Sequence, residues 1–101
     1  MKIFISQKMN GLTEKEILEE RRKVVEFLKQ KYGEFEPIGY ITETPPKNAG
    51  PLWYLAKSIE QLAEADAAYF CAGWGSARGC RVEREICKEY GVKILNEIQF
   101  F

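Results

Sequence analysis

The chain contains no histidine, which removes imidazole general bases and both Ser-His and Cys-His nucleophile pairs. Any catalysis must therefore come from carboxylates, hydroxyls, thiols, lysine or backbone. Cysteine is scarce. The three residues Cys71, Cys80 and Cys87 form no CxxC pair and, without histidine, no structural zinc pattern. An odd thiol count without a secretion pattern fits free cysteines in a reducing compartment. No apolar run approaches the ~20 residues of a membrane span, and no signal-peptide pattern opens the chain, so a cytoplasmic location without membrane attachment is expected. Charge of one sign is also missing, because 15 basic residues balance 15 acidic ones. No global field then draws the chain to a nucleic-acid polymer or a membrane, and a net charge near zero favours self-association. Repeats, linkers and low-complexity segments are absent. The 101 residues suit one compact domain spanning 1–101.

What is present alternates between two periodicities. Lys2–Ser6 is a short run rich in β-branched and aromatic residues, and Gln7–Gly11 breaks it as a loop. Thr13 and Glu16 form a T-x-x-E capping box, after which Ile17, Leu18, Val24, Val25, Leu28 and Tyr32 keep helical spacing up to Gly33. A weak strand is expected at 34–38. An irregular loop follows from Gly39 to Gly50, long for so small a domain. Pro51 suits a first helical turn, and Leu52, Leu55, Ala56, Ile59, Leu62 and Ala63 mark a second amphipathic helix. Asp66–Cys71 reads as a third strand, 79–90 as a third helix ending at Gly91, and 92–95 as a fourth strand. A short apolar tail, Ile98–Phe101, closes the chain.

The order β-α-β-α-β-α-β predicts an α/β fold with helices on both faces of a parallel sheet. We expect a three-layer flavodoxin-like or Rossmann-like sandwich whose four strands run in the order 2-1-3-4. The switch point of such a sheet lies between strands one and three, where ligands bind outside the carboxyl ends. The loops meeting there are Gln7–Gly11 and Ala72–Arg78. The second of them is glycine-rich and opens the third helix, with Glu83 in its first turns. Helix N-termini of this kind attract anions.

Three segments of the chain, taken together, resemble a known group. They are Ile3-Phe4-Ile5-Ser6-Gln7-x-Met9-Asn10-Gly11, Leu52-Trp53-Tyr54-Leu55, and Ala65-Asp66 with Ala77-Arg78-Gly79-Cys80-Arg81-Val82-Glu83. The group comprises small phage and bacterial proteins of unsettled function, related to the nucleoside 2-deoxyribosyltransferases and nucleotide N-hydrolases. The resemblance covers nearly the whole chain. In those enzymes a Gly-x-x-x-Glu motif after the third strand supplies the nucleophile, which attacks the anomeric carbon and displaces the base. Gly79-x-x-x-Glu83 implies that role for Glu83, and the first loop, Ser6 to Gly11, is implied as a sugar or phosphate pocket. Two departures are evident. Ser58 stands where the enzymes carry an aspartate that assists proton transfer to the base. Ala77 stands where they hold a Ser or Asp, with Ser76 one residue away.

Each singled-out residue has a structural alternative. Glu83 is either the nucleophile, which suits an oxocarbenium-like transition state, or a carboxylate complementing a helix dipole. Arg78 could clamp a phosphate, whereas Arg81 and Arg84 are read as helix-face residues, with Arg81–Glu85 at i,i+4 spacing. Gly73 and Gly75 permit either close ligand approach or a tight turn. Trp74 could stack on a base or pack in the core. At least one of Trp53 and Tyr54 is read as core, Tyr40 and Glu43 as weak contact candidates, Asp66 as structural and Lys8 as exposed. Cys80, close to a helix start, is either a thiol of lowered pKa or an inert buried one.

The function expected is cleavage of a nucleoside or nucleotide N-glycosidic bond, or deoxyribosyl transfer, by a glutamate nucleophile. Glu83 and Ser58 are the catalytic candidates. Ser6, Gln7, Asn10, Gly11, Gly73, Trp74, Ser76, Arg78 and Gly79 are the substrate-binding candidates. No metal or organic cofactor is implied. The alternatives are a non-catalytic module that senses or sequesters a nucleotide, and a scaffold with a vestigial pocket. Open sheet edges and the apolar tail favour a homo-oligomer, and the resemblance implies loops shared between neighbours.

Overall fold

In the computed structural model, residues 1–96 are described. Four strands, β1 (Lys2–Ser6), β2 (Glu36–Ile38), β3 (Ala67–Phe70) and β4 (Lys93–Ile94), alternate with α1 (Glu14–Tyr32), α2 (Pro51–Leu62) and α3 (Arg78–Tyr90). They form one sheet in the order β2-β1-β3-β4, and every pairing is parallel. The register sets Phe4 beside Ile38 on one side and Ser6 beside Phe70 on the other.

Chain direction explains the layers. The first crossover steps from β1 outward to β2, while the next two step the opposite way across the sheet to β3 and β4. Crossovers of one hand that travel in opposite directions place their helices on opposite faces. Accordingly, α1 covers one face with Leu28 against Ile3, Ile5, Phe35 and Cys71. On the other face α2 and α3 bury Leu62, Cys80 and Cys87 against Phe4, Ala68, Phe70 and Ile94. The two-residue alternation of β1 thus separates Ile3 and Ile5 from Phe4. Full burial of rings such as Phe4 and Phe70 stabilises the fold by roughly 2–3 kcal/mol each.

Local signals set the element ends. The capping box is complete: Thr13 Oγ1 accepts from the Glu16 N–H at 3.1 Å, and Glu16 Oε1 accepts from the Thr13 N–H at 2.8 Å. Strand β2 is shorter than the expected 34–38. It is an edge strand, which suits Pro37, a residue with no N–H to offer an outer neighbour. Strand β3 starts after Asp66, whose carboxylate accepts from the Lys2 N–H at 2.7 Å while its own N–H donates to the Lys2 carbonyl. Helix α3 begins one residue earlier than the glycine expected to open it.

Strand β4 spans two residues, and a side chain extends its edge. Asn96 Nδ2 donates to the Phe70 carbonyl at 2.6 Å, and Asn96 Oδ1 accepts from the Phe70 N–H at 3.0 Å. The amide of Asn96 so takes the place of a strand peptide beside β3. The apolar tail at 98–101 lies outside the described residues. Among the described residues no helix is long and apolar enough to cross a membrane.

Candidate functional site

Three elements converge at the carboxyl edge of the sheet. Ser6 is the last residue of β1, and alternation turns its side chain toward the α2/α3 face, as it does Phe4. Its hydroxyl donates to Glu83 Oε1 at 2.7 Å. Ser58, on the inward face of α2, also hydrogen-bonds the Glu83 side chain. Ser6 is 2% exposed and Ser58 6%, so both hydroxyls are shielded from water, while the carboxylate beside them is half-buried. Burial holds the Glu83 carboxyl above the ordinary carboxylate range, and the bonds from Ser6 and then Ser58 pull the other way.

The thiol of Cys80 lies one turn before Glu83 and shares a hydrogen bond with Ser6. Burial pushes this thiol up, with Glu83 adding to the effect. A lowered, reactive thiol at the helix start is thereby overturned, because desolvation outweighs the helix end. Cys71 is pushed up to about 12 and Cys87 to about 11 by the same cause. All three cysteines are free and buried.

The loops after β1 and β3 meet as the switch point requires. Lys8 lies across Gly73, its Cδ 3.6 Å from where a Cβ would stand, and Gly73 itself has φ +88°. A single 3-10 turn, Trp74–Ser76, then leads into α3. Ser76 Oγ donates back to the Gly73 carbonyl at 3.0 Å, and Arg81 donates to the Gly75 carbonyl at 3.1 Å. Arg81 thus braces the loop rather than pairing along its own helix. Asn10, Gly11, Arg78 and Gly79 are exposed on the rim.

Two candidates are engaged elsewhere. Gln7 is buried, with Nε2 donating to the Ile17 carbonyl at 2.9 Å and to Glu20 Oε1 at 3.0 Å. Its Oε1 accepts from Arg21, which also donates to the Ile5 and Ile38 carbonyls. The Gln7 side chain is therefore turned to α1 on the far face. Trp74 packs against the core, edge-on to Phe70 at 6.2 Å, with the Arg84 guanidinium 4.4 Å from its ring centre.

Sequence reasoning missed Arg84 and Gly39. Arg84 is not a surface helix residue: it is buried, stacked on Trp74 and Phe70. Its spacing from Cys80 and Cys87, i+4 and i−3, was the available signal. Gly39 is buried at φ +108°, and a Cβ there would lie 2.7 Å from the Ile5 carbonyl oxygen. Its N–H donates to Gln61 Oε1 at 2.7 Å, tying the long loop to α2. Of the weaker candidates, Glu43 pairs with Lys57 at 3.0 Å and Tyr40 lies under Arg21. A depression of about 580 Å³, lined by Met1, Lys2, Glu34, Phe35, Glu36, Glu64 and Asp66, sits at the amino ends of the strands. It is remote from Glu83, and the convergent hydroxyls are the stronger functional sign.

The sequence model of a domain of unknown function, DUF4406, matches residues 1–96, so the chain belongs to that family. No curated protein and no solved structure matches it.

Proposed function

We propose that this DUF4406 member acts on the N-glycosidic bond of a nucleoside or nucleotide in the cytoplasm, with Glu83 as nucleophile. One observation carries the reading: the Glu83 carboxylate is held by Ser6, at 2.7 Å, and by Ser58 at the sheet's switch point. The resemblance to nucleoside 2-deoxyribosyltransferases and nucleotide N-hydrolases supports it. A carboxylate oxygen bonds to the anomeric carbon as the C–N bond breaks, and the base leaves with the electron pair and takes up a proton from solvent. Water or an acceptor base then attacks the same carbon and gives up a proton to solvent, and the ester electrons return to Glu83. Asn10, Gly11, Gly73, Ser76, Arg78 and Gly79 border the site and are the ligand contacts of this reading.

The test is chromatography of purified protein with ribo- and deoxyribonucleosides and their monophosphates, with and without an acceptor base. Wild type releases free base, and Glu83→Gln lowers release by at least 1,000-fold (~4 kcal/mol) with unchanged circular dichroism. Equal release by both proteins refutes the nucleophile. A second reading, a non-catalytic nucleotide-binding module, is favoured by one observation: the α2 residue on Glu83 is a serine, not an acid. It predicts a ligand-induced rise in melting temperature with no product.

The same reading includes a homo-oligomer. Leu52, Leu55, Ala56 and Ile59 share one face of α2, with Leu52 78% and Ile59 43% exposed. An uncharged aliphatic stripe of this kind is complementary to a second copy of itself.

A further inference from the structure

Strand β1 is held differently along its two edges at the point where it delivers Ser6. Its ladder with β2 ends at the pair Phe4 and Ile38, whereas its ladder with β3 runs on to Ser6 and Phe70. One residue past the last β2 pair, a side chain from α1 takes over. Arg21 Nη1 donates to the Ile5 carbonyl at 3.3 Å and to Gln7 Oε1 at 3.2 Å, and its Nη2 donates to the Ile38 carbonyl at 2.8 Å. One guanidinium so bridges β1 and β2 where their pairing stops. The other end of the Gln7 amide is fixed too, because Nε2 donates to the Ile17 carbonyl at 2.9 Å and to Glu20 Oε1 at 3.0 Å. Ser6 therefore sits between two residues gripped by the same fork, one through its backbone and one through its amide. Strand alternation sends Ile5 and Gln7 to the α1 face and the Ser6 hydroxyl to the other, where it meets Glu83.

Stability alone is a weak reason for an arginine here. Burial pushes Arg21 below the ordinary guanidinium value, so the fold works against the charge it carries. The acceptors in these three bonds are neutral, two carbonyls and an amide. An apolar side chain would cover the inward face of α1 without desolvating a charge. What the guanidinium adds is a rigid planar fork that fixes several acceptors at once. We propose that Arg21, acting through Gln7 and the Ile5 carbonyl, is a positioning residue that sets the Ser6 hydroxyl against Glu83 from across the sheet. The role needs only the Ser6–Glu83 contact, whatever reaction that carboxylate performs.

NMR of protein carbon-labelled at the glutamate carboxyls reads the titration of Glu83 without any substrate, and Glu83→Gln identifies its resonance. The groups acting with that carboxyl are the Ser6 and Ser58 hydroxyls and the Cys80 and Cys87 thiols, one turn to either side on α3. The Ser6 bond draws its midpoint down, so a loosened Ser6 lets it rise. Arg21→Lys keeps the positive charge and loses the fork, which separates geometry from simple electrostatics. In this variant the Glu83 midpoint rises by about 0.5 pH unit or more, a roughly threefold change in its ionisation constant. Gln7→Met, which leaves Arg21 its two carbonyls, moves the midpoint the same way by less. Repeating both changes in a Ser6→Ala background closes a double-mutant cycle, and there neither moves the midpoint further. A merely structural Arg21 would lower the melting temperature and leave the midpoint where it was. An unmoved midpoint in folded Arg21→Lys, or an equal rise with and without Ser6, overturns the role. Should Arg21→Lys fail to fold, Gln7→Met carries the same two outcomes. Base release is a separate readout: its failure in wild type refutes the N-glycosidic reading and leaves the titration result standing.

Discussion

Ser6 Oγ stands 2.7 Å from Glu83 Oε1, a contact between residues 77 positions apart that joins the end of β1 to α3. Ser58 approaches it from α2, so the carboxylate on α3 is held from two other elements. The consequences are measurable.

The pH dependence follows from the sign of the Glu83 shift. Folded Glu83 holds its proton more tightly than the unfolded chain does, with an ordinary value of 4.5. From that value up to the raised one, the folded state carries more protons, so stability falls as pH rises and levels off above. Glu83→Gln lacks this contribution. Urea denaturation across the window should show the stability of the variant increasing relative to wild type as pH rises, and a relative decrease would reverse the assignment. Activity, which needs the carboxylate ionised, rises over the same window.

Removing either hydroxyl should move that rise upward. Both Ser6 and Ser58 lower the Glu83 value, Ser6 more strongly. Ser6→Ala therefore shifts the pH–rate profile further to the alkaline side than Ser58→Ala. It also costs about 1.5 kcal/mol of stability for a lost hydrogen bond to a charged group. Unmoved profiles in both variants would mean that the hydroxyls do not hold the carboxylate in solution.

Gly39 and Gly91 separate crowding from backbone conformation. Both have positive φ, but a Cβ at Gly91 meets open space while one at Gly39 meets the Ile5 carbonyl at 2.7 Å. Gly91→Ala costs about 1 kcal/mol, the penalty of the left-handed region alone. Gly39→Ala costs about 3 kcal/mol or more, because β1 must also shift. Thermal melts of the two variants decide it, and equal losses would place Gly39 further from β1.

The α2 stripe is tested by Ile59→Lys. Sedimentation velocity should give an oligomer for wild type and a monomer for the variant, with unchanged secondary structure. A wild-type monomer at tens of micromolar would show that the stripe stays bare.

The sequence by itself determined the elements and their order. Capping at Thr13, stops at Gly33 and Gly91 and the switch between two-residue and helical spacing are local effects, legible residue by residue. Alternation of strand and helix then restricts the sheet to parallel crossovers; the 2-1-3-4 order was the expected one among those this allows, and the structure has it. The Glu83 motif was legible through its place after the third strand. What only the tertiary structure decided are contacts between residues far apart in the chain. Glycine's freedom at Gly39 reads as loop until the Ile5 backbone is seen against it. Gln7 reads as a site residue until its amide is found facing Ile17 and Glu20. Arg84 reads as a solvated helix residue until Trp74 and Phe70 close over it, and Asn96 as a loop polar residue until its amide pairs with Phe70. Periodicity states which side of an element is buried, whereas a partner's identity depends on how the elements pack, and packing is set by the whole chain at once.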